Sequence, residues 1–328
     1  MRRREFTLLL GGVAAGWQSV ARAQKDRAQV VGVLAAQAEG DPDMAARLAG
    51  FRQVLNGLGW SEDRNLRIEP RFAASRVDQF SALAKELVAL KPDVILAHTT
   101  PVTAALQRES RTIPIVFISV SDPIGSGFVT SLGRPGGNLT GVLQYESSIT
   151  GKWLSMLKEI APGVTHAALL ANPKTTAYDY FRRSAEAVAP SLGIDLAASP
   201  VENAAEIERA IDSLARAPNG GLVLPPDSTT VLHRNLIVTL VNRHRLPAIY
   251  ALRVYVAAGG LISYDTNQVE AARLAATYVD RMLRGAKPAE LPVQAPTKYQ
   301  TVLNLKTAKA VGLTVPSTIL VAADEVIE

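Results

Sequence analysis

At 328 residues, with 48% hydrophobic and 20% charged side chains, the chain has an ordinary globular composition and is long enough for two α/β units. The net charge of +5 does not read as a nucleic-acid footprint: Arg2, Arg3, Arg4 and Arg22 crowd the first 23 residues against Glu5 alone, and losing those four arginines and one glutamate leaves +2, scattered along the chain without a basic run. The absence of cysteine excludes thiol catalysis, thiolate metal sites, disulfides and a lipidated N-terminal Cys.

The chain begins as an export signal. Arg2–Arg4 form a charged start, an apolar stretch follows from Phe6 to Val20, and Ala21-Arg22-Ala23 has the small-x-small form of a cleavage site. Residues 1–23 are therefore read as a signal peptide, with Gln24 the first residue of the mature protein. Arg3-Arg4-Glu5-Phe6 is similar to the twin-arginine export motif, with a Sec signal as the alternative. No later segment is apolar enough for long enough to span a bilayer.

Short β-branched runs then alternate with helical patterns. Val30–Ala36 reads as a buried strand, Pro42–Leu58 as a helix opened by Asp41, Leu66–Phe72 as an edge strand, and 77–90 as a helix stopped by Lys91-Pro92. Asp93–Ala97 and Ile115–Ser119 are further buried strands, separated by a helix over 100–108. A second series follows: a strand over 140–144, helix 149–160, strand 166–170, helix 178–192, strand 194–198, helix 204–215, strand 221–224, helix 229–244, and strands 248–251 and 260–264. Helix 267–283 has Asn267 as its cap and Glu270 three residues on. The tail adds a strand over 301–305 and a short helix over 307–311. Such alternation predicts an α/β fold of two Rossmann-like lobes with parallel sheets. The expected lobes are 24–142 with about 265–290, and 143–264 with about 291–328. The Pro-Gly-Gly bend at Gly136 and Gly137, together with Asp265, is read as hinge.

In open α/β sheets, ligands bind beyond the carboxyl ends of the strands. The polar residues placed there are Gln37, Thr99, Thr100, Ser119 and Asp122 in the first unit, and Asn172, Asp227, Tyr250 and Tyr264 in the second. Thr100 is expected to cap the helix that Pro101 opens, presenting free amides that favour an anion. Asp122 and Asp227 are common cap and turn residues, and as a pair from facing lobes they could hold an ammonium group. No nucleophile elbow, phosphate-binding loop or His-Glu-x-x-His motif occurs, and the four histidines lack ligand spacing. No enzyme activity, metal site or cofactor is expected.

The stretches IPIVFISVSDPIGSGFVTSLGRPGGNLTGV and VLNLKTAKAVGLTVPSTILVAADEVIE resemble the ABC-transporter substrate-binding proteins of the tryptophan/tyrosine-uptake type. The resemblance implies a type I periplasmic-binding-protein fold, three crossings between the lobes, and one small solute, an amino acid or an aromatic or carboxylate compound, in the cleft. Carried over by position, Thr99, Thr100, Ser119, Asp122, Asn172, Asp227 and Tyr250 would line that cleft, with Gln144 and Tyr145 at the hinge. It also implies a permease and ATPase complex as partner, and a monomer. With no Cys to anchor it, the protein is expected free in the periplasm. The alternatives are a two-lobed glycosyltransferase-like enzyme and a ligand-sensing subunit for a membrane receptor.

Overall fold

The uncharged run Gln29–Ala35 forms β1, the second strand of a five-stranded parallel sheet, and a computed structural model describes the protein from residue 27 to residue 328. The expected signal peptide lies outside the described residues. Asp41 caps helix α1 (Pro42–Gly57), its Oδ1 accepting from the Met44 amide at 2.9 Å. Edge strand β2 (Leu66–Phe72) follows, then a 3₁₀ turn and α2 (Phe80–Ala89), β3 (Val94–His98), α3 (Thr100–Glu109), β4 (Ile115–Val120) and β5 (Leu139–Leu143). The strand order is β2-β1-β3-β4-β5.

The second lobe begins with α4 (Ile149–Ile160), β6 (His166–Ala171), α5 (Tyr178–Val188), β7 (Asp195–Pro200), α6 (Ala204–Arg216) and β8 (Gly220–Leu224). The helix expected over 229–244 is two, α7 (Ser228–Leu232) and α8 (Arg234–Arg243), because His233 leaves helical geometry between them. Then come β9 (Ala248–Tyr250), an unanticipated short helix α9 (Arg253–Ala257) and β10 (Ile262–Thr266). After α10 (Gln268–Leu283) the tail supplies β11 (Tyr299–Asn304), α11 (Leu305–Ala310), α12 (Ser317–Ala322) and β12 (Glu325–Ile327). The seven-stranded order is β12-β11-β10-β9-β8-β6-β7. This second sheet is mixed rather than parallel throughout, because β11 enters from the other lobe and runs antiparallel to β10.

Each sheet is covered on both faces, which is why its strands read as continuous apolar runs. In the first lobe α1 and α10 pack one face around Phe51, Leu55, Val31 and Val33, while α2 and α3 pack the other around Leu87, Leu106 and Phe117. Helix α10 comes from beyond β10 of the second sheet, yet it lies on the first, presenting Ala271, Ala272, Ala275 and Ala276 to the core; these small side chains let it approach α1 closely. In the second lobe α4 and α5 cover one face around Trp153 and Phe181, and α6, α8 and α9 cover the other around Ile211, Val241 and Tyr255.

The chain passes between the sheets three times: between Leu143 and Ile149, at Thr266–Asn267, and between Gln294 and Tyr299. The crossings are tied to one another. The Tyr145 hydroxyl lies 2.5 Å from Asp265 Oδ1, and the Asn267 amide donates to the Lys298 carbonyl at 3.1 Å. Two sequence expectations need correction. Gly136 and Gly137 are not at a crossing: their turn joins β4 to β5 within one sheet, and Gly136 holds φ +80, where glycine is favoured. Leu291–Gln294, expected in the second lobe, still belong to the first; the Gln294 amide donates to Gly141 O, and the Leu143 amide donates to Gln294 O.

Candidate functional site

A cleft of about 670 Å³ lies between the lobes, where the carboxyl ends of β1, β3 and β4 face α7, α8 and α9. On the β4 side the strand is distorted. Its register with β5 shifts after Phe117, and Ser119 takes φ +58. Gly141 makes the approach possible, since a Cβ there would stand 2.0 Å from the Phe117 carbonyl oxygen. The left-handed turn aims the Ser119 hydroxyl at Gln268 on α10, donating to its Oε1 at 2.7 Å.

Thr99 is more strained. At φ 87, ψ 156 it occupies a region open almost only to glycine, at a cost of about 1–3 kcal/mol. The geometry is held by its carbonyl, which accepts from the Thr103 amide (3.0 Å) and hydroxyl (2.8 Å). Thr99, not Thr100, is thus the residue before α3, and no side chain caps that helix, because the strained backbone turns the Thr99 hydroxyl away from its amides. That hydroxyl is buried without a partner, as is Gln37 Oε1 at the end of β1.

Next to them lies Arg47, a buried arginine that sits on a helix and so was not among the strand-end residues expected from the sequence. Its signal was a charge on the apolar stripe of α1, three residues after Met44 and four before Phe51. One guanidinium nitrogen donates to His98 Nε2 at 2.7 Å, and no other hydrogen bond from this side chain is made among the described residues. Because Nε2 accepts, His98 carries its proton on Nδ1, which is buried without a partner. Burial, and secondarily the Arg47 charge, hold this imidazole well below its ordinary 6.5, so it is neutral. Burial also lowers Arg47 itself, with Asp265 the largest opposing influence.

Asp265 completes the polar end. Expected as a hinge residue, it lies in β10 just before a crossing and lines the cleft. Its side-chain donors, Tyr145 (2.5 Å), Gln268 (3.2 Å) and Thr266 (3.5 Å), all reach Oδ1, and none among the described residues reaches Oδ2. Burial raises its carboxyl to about 6, against the pull of Tyr145 and Arg47. The Tyr145 hydroxyl also lies 2.7 Å from the Ala251 carbonyl. One phenolic proton cannot serve both acceptors, and protonating Asp265 supplies a second, which agrees with the raised value.

The expected site residues divide. Gln37, Thr99, Thr100, Ser119, Gln144 and Asp227 line the cleft. Asp227 is saturated there, however: it accepts from the amides of Asn172, Thr229 and Thr230 and from the Thr175 hydroxyl, joining the end of β6 to the start of α7. Asn172 serves the same joint, donating to Thr229 Oγ1 at 2.9 Å, and does not line the cleft. Asp122 is also off the cleft, closing its own turn by accepting from the Gly125 amide at 2.8 Å. Asp122→Ala is therefore expected to cost about 1 kcal/mol of stability and to leave solute affinity unchanged, as read by thermal melts and calorimetry; a tenfold loss of affinity would return it to the site.

The tyrosines leave the cleft as well. Tyr145 holds the crossing. Tyr250 is fully buried and stacks on Tyr255 at 4.8 Å in the second core. Tyr264 stacks on Tyr299 at 5.2 Å and lines a separate cavity with Lys152, Met156 and Asp324. Period-two alternation explains these misses, since neighbouring strand-end residues point to opposite faces.

The family model described as ABC transporter substrate binding protein matches residues 31–327. A tyrosine-binding protein of Clostridioides difficile (strain R20291) is 25% identical over 276 residues, covering 83% of this chain and 78% of that protein. A conserved domain protein from Vibrio cholerae O1 biovar eltor is 26% identical with a TM-score of 0.84, covering 92% of this chain and all of the other. An ABC domain in complex with L-Trp from Streptococcus pneumonia is 24% identical with a TM-score of 0.82, at the same coverage.

Proposed function

The chain belongs to the ABC transporter substrate binding protein family, and from that premise we propose that it is the solute receptor of an ABC uptake system, taking a zwitterion of the amino-acid type between its lobes. The observation that carries the reading is the buried pair of opposite charges in the cleft. Arg47 has guanidinium donors to spare, and Asp265 has an oxygen to spare. A carboxylate on Arg47, beside the uncapped start of α3, and an ammonium on Asp265 Oδ2 would satisfy both. The relatives support the class, one being a tyrosine-binding protein and another a complex with L-Trp.

Arg47 lies on a first-lobe helix and Asp265 on a second-lobe strand, so one solute holding both favours the closed arrangement to the extent that it binds that arrangement better. Membership of a substrate-binding family points to binding rather than catalysis, and favours this reading over a glycosyltransferase-like enzyme. No helix among the described residues is long and apolar enough to cross a membrane. In this reading the protein is exported, diffuses as a monomer in the periplasm, and delivers its solute to a permease and ATPase complex.

Native mass spectrometry of the periplasmic protein, followed by calorimetry of the stripped protein against the twenty amino acids, tests the reading. An amino acid at about 100 times its Kd should add about 2.7 kcal/mol of stability. A panel in which none binds, with a sugar co-purifying, would remove it.

A further inference from the structure

Both walls of the cleft are mixed, and the larger aliphatic side chains, Leu232 and Leu252, lie on the second. The first lobe presents Gln37, Arg47, His98, Thr99, Ser119 and Ser121. The second presents polar groups as well, Thr176, Ser228, Arg234 and Asn235 among them, and beside these a run of aliphatic side chains, Val231 and Leu232 from α7, Leu252 from the turn after β9, and Val254 and Ala257 from α9. These are not core residues that happen to graze the cavity. Leu232 is 48% exposed, Ala257 is exposed and the other three are half-buried, so the second lobe carries an apolar surface whose open side is the cleft itself. In α9 the neighbours Tyr255 and Val256 turn into the core, leaving Val254 and Ala257 on the cleft side. Arg253, which interrupts the surface, is tied to Glu325 by two hydrogen bonds of 2.6 and 2.8 Å.

Aromatic solutes are commonly selected by protein rings at centroid distances of about 4.5–7 Å. The rings nearest this cleft by sequence are committed elsewhere: Tyr145 to Asp265 and Ala251, Tyr250 and Tyr255 to each other, and Tyr264 to Tyr299. No phenylalanine, tyrosine or tryptophan lines the cleft among the described residues.

Resting on the amino-acid reading of the polar end, we propose that the solute's side chain is aliphatic, and that Val231, Leu232, Leu252 and Val254 form the compartment that selects it over an aromatic one. The compartment acts by removing methyl and methylene groups from water, so affinity grows with chain length until the wall is covered.

The test is calorimetry on the full mature protein, stripped of solute, with glycine, alanine, 2-aminobutyrate, norvaline and leucine, and then tyrosine and tryptophan. Each added methylene is expected to tighten binding about fourfold, with leucine tighter than either aromatic. Leu232→Ser, at an exposed position that folding tolerates, should lower the leucine-to-alanine affinity ratio about fivefold or more. Tyrosine or tryptophan binding as tightly as leucine, or a flat aliphatic series, would overturn the selectivity and leave the charged anchors standing. Failure of every amino acid to bind would remove the anchors, and this inference with them.

Discussion

Arg47→Met is expected to lower solute affinity by about 2–5 kcal/mol, roughly thirtyfold to several-thousandfold, with little loss of stability. Removing one member of a buried, hydrogen-bonded charge pair leaves the other charge desolvated and unpaired. In the complex that other charge would be the solute carboxylate, because His98 is neutral. In the free protein the balance differs. The guanidinium is buried with one hydrogen bond to a neutral ring, and an unbranched apolar side chain of similar length fits the stripe of Met44, Leu48 and Phe51. Calorimetry and a thermal melt on the same variant separate the two effects. Affinity within threefold of the parent would remove Arg47 from the site, and a collapse in melting temperature would make it structural instead.

Asp265→Asn is expected to act in opposite directions on stability and on binding. The carboxyl sits at about 6 in the folded protein against its ordinary 3.8. Between those values the folded state keeps a proton that the unfolded state has released, so stability falls as pH rises through the window from about 4 to about 6. The penalty is complete above 6. At about 1.4 kcal/mol per pH unit it reaches roughly 3 kcal/mol in the unliganded protein. Asparagine still accepts from Tyr145 and carries no charge to desolvate. The variant should melt higher at pH 7.5, equal the parent near pH 4, and lose the downward slope between.

Binding responds the other way. An ammonium group needs the ionised carboxylate, so the parent's affinity should fall as pH drops below about 6, and Asp265→Asn should bind weakly at every pH. A variant that melts no higher at pH 7.5 would place Asp265 as an ordinary carboxylate, and one that binds the zwitterion normally would move the ammonium elsewhere.

Much of the fold was open to a one-dimensional reading because two periodic signals run through the chain. Strands covered on both faces show as uncharged runs, as in Val30–Ala36 and Ile115–Ser119, and helices announce their starts through caps such as Asp41 and Asn267. Two lobes of α/β alternation follow from those signals. Beyond them the chain is silent, since no local pattern marks a strand that arrives from the other lobe. The antiparallel β11 is such a strand, and the Pro-Gly-Gly turn could be taken for a crossing for the same reason.

The site divides in the same way. The sequence alone determined that polar side chains gather at strand ends, because a parallel sheet must stop where its helices turn back, and that put Gln37, Thr99, Ser119 and Gln144 within reach of the cleft. Which strand-end groups stay free was decided by tertiary structure. Asp227 and Asp122 spend their oxygens on backbone amides, Tyr250 turns into a core, and Asp265 keeps one oxygen because its donors all crowd the other. Arg47 was visible only as a charge on an apolar stripe, and its meaning came from the partner across 51 residues of sequence, His98. A sequence shows which groups can hydrogen-bond; only the packed chain shows which of them are left without a protein partner to bind a solute.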